Sequence, residues 1–133
     1  MRLLLDLNIF LDVVQKRQPH YEASARILDF ALKKNCGCIA AHALTTLHYL
    51  VQKYSGKQQS DELIDWLLQN FSVIPADKAI FLRARNLQFS DFEDAVICAS
   101  AEKKACDFII TRNSKDFSGS TIPALTPGEF FAL

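Results

Sequence analysis

The sequence predicts an α/β fold in which a mainly parallel sheet lies between layers of helices. Short, almost wholly apolar runs such as Leu3-Leu-Leu5 and Phe108-Ile-Ile110 are the first observation behind it. A strand reads that way when both of its faces are buried, as in a parallel sheet covered by helices. The second is that stretches with apolar residues at three-to-four spacing separate those runs, and strands alternating with helices favour a parallel arrangement. The third is that polar residues gather where the apolar runs end, at Asp6, Asn8 and Asp12 and again from Thr111 to Asp116. In open α/β sheets the carboxyl ends of the strands are where ligands bind.

Along the chain, Leu3 to Leu5 form the first strand and a helix begins near Ile9. Pro19 can start a second helix, with Tyr21, Ala25, Ile27, Leu28, Ala31 and Leu32 on its apolar face and Gly37 ending it. Cys38 to Ala41 is a candidate strand. Ala43 to Tyr54 follows as a helix closed by Gly56, and Ser60 with Asp61 and Glu62 has the form of a helix start. Phe71 to Ile74 reads as a strand stopped by Pro75. Asp77 opens one helix, and Ser90 with Asp91 opens another over Phe92 to Lys104. After the Phe108 strand, Ile122 to Leu125 is expected at a sheet edge, because Pro123 cannot donate to a ladder. Thr126-Pro-Gly-Glu129 has the pattern of a capping box, so the last helix holds Phe130 and Phe131.

The length of 133 residues fits one domain over 1–133. Half of the residues are hydrophobic and 23% are charged, which excludes a disordered tail. No apolar run reaches the roughly 18 residues that a membrane span needs, so no membrane partner and a cytoplasmic location are the default expectations. Fifteen basic and fifteen acidic side chains cancel, so any nucleic-acid contact has to be argued locally. Cys36, Cys38, Cys98 and Cys106 lack paired zinc-site spacing, which favours packed, reduced thiols.

The acids carry the chemistry. Asp6 stands where the first strand stops being buried, as a site residue or as the cap of the following helix. Asp94 lies in the first turn of the Phe92 helix, beside Ala95, Val96 and Ile97. Ser90 and Glu93 fit a capping box, and Asp91 is either a cap or an auxiliary acid. Asn113 and Asp116 follow the Phe108 strand, within reach of Asp6 if the strands are parallel. Carboxylates gathered in one cleft repel each other unless a cation joins them, and oxygen-only ligands suit Mg²⁺ or Mn²⁺. A cation so placed lowers the pKa of a bound water and offsets charge developing on a phosphodiester oxygen, which is the chemistry of phosphate-ester hydrolysis. Arg112 and Lys115 are placed either to contact substrate phosphates or to lie solvated on the surface.

With these residues in view, the chain resembles the PIN-domain family, the kind found as VapC-type toxins. The resemblance rests on Leu4-Leu-Asp-Leu-Asn-Ile-Phe-Leu-Asp12, Asp91-Phe-Glu-Asp-Ala95 and Thr111-Arg-Asn-Ser-Lys-Asp-Phe117, and it spans essentially the whole chain. It implies a three-layer α/β/α sandwich, Mg²⁺- or Mn²⁺-dependent endonucleolytic cleavage of RNA, frequent homodimers and, for the toxins, an inhibitory antitoxin protein. It also implies that Asp6, Asp94 and Asp116 are catalytic and hold the metal with Asn113. Asn8, Asp91, Thr111 and His48 would support them.

The sequence departs from the family at two positions. His48 stands where most members carry a helical glutamate, and Asn113 where an aspartate is common. A neutral imidazole suits Mn²⁺ or Zn²⁺ better than Mg²⁺, and Asn brings an oxygen without charge. His48 is equally readable as a packed or surface histidine, and Asp12 as a supporting or surface residue. The alternative function is therefore a weakened PIN-like module that binds RNA or a protein partner without cleavage. A receiver-type phosphoryl acceptor fits less well, because Asn8 replaces the second acid and Thr111-Arg112 the strand-end lysine that it would need.

Overall fold

The computed structural model describes residues 1–133. Its central element is β1 (Leu3–Leu5), whose three leucines are wholly buried. It pairs in parallel with β2 (Gly37–Ala40) on one side and with β4 (Phe108–Ile110) on the other. Adding β3 (Ser72–Ile74) and β5 (Ala124–Leu125) gives an all-parallel sheet in the order β3-β2-β1-β4-β5.

Pleat alternation divides the core into two layers. Leu3, Leu5, Ile39 and Ile110 point into one cluster with Ile9, Phe10, Ile27, Leu47 and Leu67. These come from α1 (Leu7–Val14), α2 (Tyr21–Lys34), α3 (Ala41–Ser55) and α4 (Lys57–Asn70). Leu4, Cys38, Ala40, Ile74 and Ile109 point the other way, onto Ile97, Cys98 and Ala101 of α6 (Phe92–Lys103). The expected layered α/β/α sandwich is therefore the fold. Residues such as Leu4, buried on all sides, would cost about 2–5 kcal/mol if cut back to Ala. All four cysteines are free and buried, as expected.

Several boundaries differ from expectation. The second helix does not run to Gly37: Asn35 ends it in the left-handed conformation, at φ 50°. Gly37 instead begins β2, where a Cβ would come within 2.4 Å of the Phe71 ring, so glycine is there for close approach. Ser60 does not start a helix either. Gly56, at φ 89°, already turns the chain into α4, and buried Ser60 donates to the His48 carbonyl at 2.7 Å. Elsewhere Asp77 caps α5 (Lys78–Leu87) through the Ile80 amide. Pro123 accepts from Ile109 where it could not donate. The capping box of Thr126 and Glu129 opens α7 (Pro127–Phe131). No helix is long and apolar enough to cross a membrane.

Candidate active site

The winding of the sheet reverses between β1 and β4, and the crevice at the carboxyl ends of those two strands is the switch point of the fold. Asp6 follows β1 there, its amide donating to the Ile110 carbonyl at 2.9 Å. One carboxylate oxygen accepts from the Leu7 amide at 2.8 Å and caps α1. The other accepts from the Thr111 hydroxyl at 3.0 Å, and Thr111 in turn accepts from the Asn113 amide at 3.3 Å. The two readings of Asp6 thus coexist, since the bonds that cap the helix also fix the carboxylate at the mouth of the crevice.

Four elements contribute to one cleft of about 250 Å³, and its walls carry Asp6, Asn8, His42, Asp91, Glu93, Asp94 and Asp116. Asp6 and Asn8 arrive with the start of α1, and His42 with the first turn of α3. The acids 91 to 94 come with the start of α6, and Asp116 with a 3-10 turn over Ser114–Phe117. Burial pushes the Asp94 carboxyl up to about 7, and the negative charges of Asp91, Asp6, Asp116 and Glu93 add to the rise. Asp6 is also raised by burial, against the opposing pull of its Thr111 and Leu7 hydrogen bonds. The same burial lowers His42 and keeps its imidazole neutral, although Glu93 and Asp6 work in the opposite sense. Its Nδ1 is buried without a partner.

The structure brings Asp6, Asn8, Asp91, Asp94 and Asp116 together on the cleft, with Thr111 behind Asp6. It does not bring His48 there. His48 Nε2 lies 2.7 Å from Asp61 on α4, and Asp61 is also held by Lys57 at 2.6 Å. Six residues at roughly 100° each carry His48 about 240° around the helix from His42. Asn113 is not on the acidic cleft either; it lines a neighbouring polar cleft with Arg112, Lys115 and Asp116. Glu93 makes no capping box with Ser90, because Asp91 is the cap of α6 and accepts from the Asp94 amide at 3.0 Å. Asp12 is no surface residue: it is fully buried, accepts from Ser24 at 3.0 Å and faces Arg112 at 3.4 Å.

His42 is the site residue that sequence reasoning missed. The available signal was its place just beyond a buried strand, as Asn8 stands just beyond β1.

By donor chemistry the cleft fits a hard divalent cation. Its walls are carboxylate-rich, and Asp94 is raised first by burial and then by the neighbouring negative charges, which a cation would offset. No three acidic, histidine or cysteine side chains close to direct coordinating geometry.

Three comparisons bear on this arrangement. A family model described as a PIN domain matches residues 2–115. The ribonuclease VapC1 of Aquifex aeolicus (strain VF5) is 25% identical over 135 residues, covering 97% of this chain and 92% of that protein. Among solved structures, VapBC2 from Rickettsia felis, bound to a DNA fragment from its promoter, matches with a TM-score of 0.75 and 21% identity over 95% of this chain and 98% of that one. A toxin-antitoxin complex from Klebsiella pneumoniae matches with a TM-score of 0.73 and 24% identity, over 94% of this chain and 97% of that one.

Proposed function

The chain belongs to the PIN-domain family, and from that premise we propose that it is a metal-dependent endoribonuclease acting as the toxin of a toxin-antitoxin pair. The observation that carries the reading is the convergence of Asp6, Asp94 and Asp116 on one cleft at the switch point of the sheet. In this reading Asp6, Asp94 and Asp116 are the catalytic acids and would hold Mg²⁺ or Mn²⁺. When bound, the cation supplies a water of lowered pKa and charge to offset the developing phosphate oxyanion. Thr111 and the Leu7 amide hold both oxygens of Asp6 in place. Asn8 and Asp91 shape the cleft wall, and His42, whose Nδ1 is buried without a partner, lines it beside them.

The RNA strand would enter across the open side of the cleft. We also place the protein in the cytoplasm, as a homodimer held inactive by a small antitoxin protein. The relatives described as toxin-antitoxin assemblies support that partner. A second reading, a PIN-like module that binds RNA or a protein without cutting, is favoured by one observation: α3 brings an imidazole and no carboxylate to the cleft.

Single-turnover cleavage of a panel of structured and single-stranded RNAs, with Mg²⁺ and then Mn²⁺, separates the two. Metal-dependent cutting that disappears in Asp6→Asn and Asp94→Asn supports the nuclease. RNA binding without cutting under either metal, and without calorimetric Mn²⁺ binding, supports the module.

A further inference from the structure

The acidic cleft shares Asp116 with a second cleft of about 380 Å³ that has no hydrophobic residue in its lining. Arg112, Asn113 and Lys115 lie on its wall together with Glu129. Glu129 is already engaged: it accepts from the Thr126 amide at 2.8 Å, and that bond, with a further one from Ser114, lowers its pKa. Glu129 and Asp116 keep their negative charge, so Arg112 and Lys115 are the groups on this wall that can meet an anionic ligand.

Arg112 is held from beneath. Asp12 is fully buried, yet its Oδ1 makes no hydrogen bond and sits 3.4 Å from Arg112 Nη1. A carboxylate taken out of water needs a compensating charge, and the only cation that the structure places against Asp12 is Arg112. The Arg112 side chain is 22% exposed; its Nε is buried without a partner, and beyond the contact of Nη1 with Asp12 its terminal N–H groups bond nothing in the protein. It is thus anchored through one edge while N–H donors remain unspent. A planar fork with free donors matches phosphate oxygens.

We propose that this second cleft is a phosphate subsite for the RNA strand next to the scissile position. Arg112 and Lys115 contact the neighbouring phosphate, and Asp12 is the buried positioning residue that aims Arg112. The proposal rests on the ribonuclease reading, because the two clefts adjoin at Asp116 and a strand cut in one would extend toward the other.

The test is the affinity of the full-length protein for a fluorescein-labelled, mixed-sequence single-stranded RNA, measured by anisotropy in EDTA over a salt series. Each lost phosphate contact lowers the slope of log affinity against log salt by about 0.7 for a single strand. Lys115→Ala and the double variant D12N/R112Q, which removes the buried pair as a unit, each lower the slope by about that amount. Asp12→Asn is the sharper arm. It removes one negative charge, so charge alone predicts tighter binding, whereas loss of the anchor predicts binding weaker by roughly three- to tenfold. Circular-dichroism melting of each variant establishes that it is folded at the assay temperature.

An unchanged slope in folded Lys115→Ala and D12N/R112Q, or tighter binding by Asp12→Asn, overturns the subsite and leaves the nuclease standing if the wild type still cuts. Wild-type protein that neither binds nor cuts RNA overturns both.

Discussion

Two histidines on one helix face two groups of acids, and their surroundings give opposite results. On the inner side of α3, His42 looks into a cleft where Asp6, Asp91, Glu93, Asp94 and Asp116 gather with no bonded cation beside Asp94. Burial drives Asp94 up to about 7. On the outer side, His48 and Lys57 both bond Asp61, and the Lys57 bond, followed by the His48 bond, lowers that carboxyl below its ordinary value. The same residue types thus make a frustrated cleft in one place and a satisfied surface cluster in the other. Frustration of this kind, in a cavity at strand ends, marks a functional site better than composition does.

Cleavage should break the symmetry most. Asp6→Asn and Asp94→Asn each lower single-turnover RNA cleavage at least about a hundredfold, since each removes a carboxylate from the cation-holding set. Asp61→Asn leaves the rate unchanged. A comparable loss in Asp61→Asn would move the site to the outer face of α3.

Stability should show the next largest effect, with the reverse sign. Asp94 is raised from 3.8 to about 7 in the folded protein, so the folded state holds its proton more tightly than the unfolded chain does. Its contribution is fully favourable below pH 3.8 and is lost as pH rises through about 7. A shift of that size unscreened would be about 4 kcal/mol. Asp94 is partly exposed, and solvent screening reduces it to about 1–2 kcal/mol. Urea unfolding at pH 8 without divalent cations should therefore find Asp94→Asn more stable than wild type by about 1–2 kcal/mol. At pH 4 the two should converge. Saturating Mg²⁺ or Mn²⁺ should stabilise the wild type and not the variant, by about 2.7 kcal/mol at a hundredfold excess over Kd.

Most of this arrangement was legible before the fold. The apolar runs at Leu3 and Phe108 carry the sheet, and the acids at their ends follow, because a residue leaving a buried strand must face the crevice. Pattern sees position along the chain, so Asp6, Asp94 and Asp116 were within its reach. Angle around a helix was not: with Ala41 as the true start of α3, His42 turns inward and His48 outward, and the expected start at Ala43 left His42 outside the helix altogether. For Asp12 the choice between a supporting and a surface role stayed open for a related reason. Its burial depends on Ser24 and Arg112, which are 12 and 100 residues away in the chain, and no local spacing reports such a meeting. Boundaries slipped wherever backbone geometry overrode composition, as at Asn35, whose left-handed conformation ended a helix that Gly37 was expected to end.

The smallest effect separates the two histidines directly. His42→Ala takes a neutral imidazole from the cleft wall and leaves every acid in place, so cleavage falls by about tenfold and the balance between Mn²⁺ and Mg²⁺ shifts toward Mg²⁺, which prefers oxygen ligands. His48→Ala removes one of two partners from an Asp61 that Lys57 still holds, so neither the rate nor the metal preference moves. Calorimetric titration with each metal gives a readout independent of turnover. Equal affinity of His42→Ala for both metals relative to wild type would confine the imidazole to shaping the wall. A change in His48→Ala instead would mean that the ion pair with Asp61 sets the position of α3 against the sheet, and with it the position of His42.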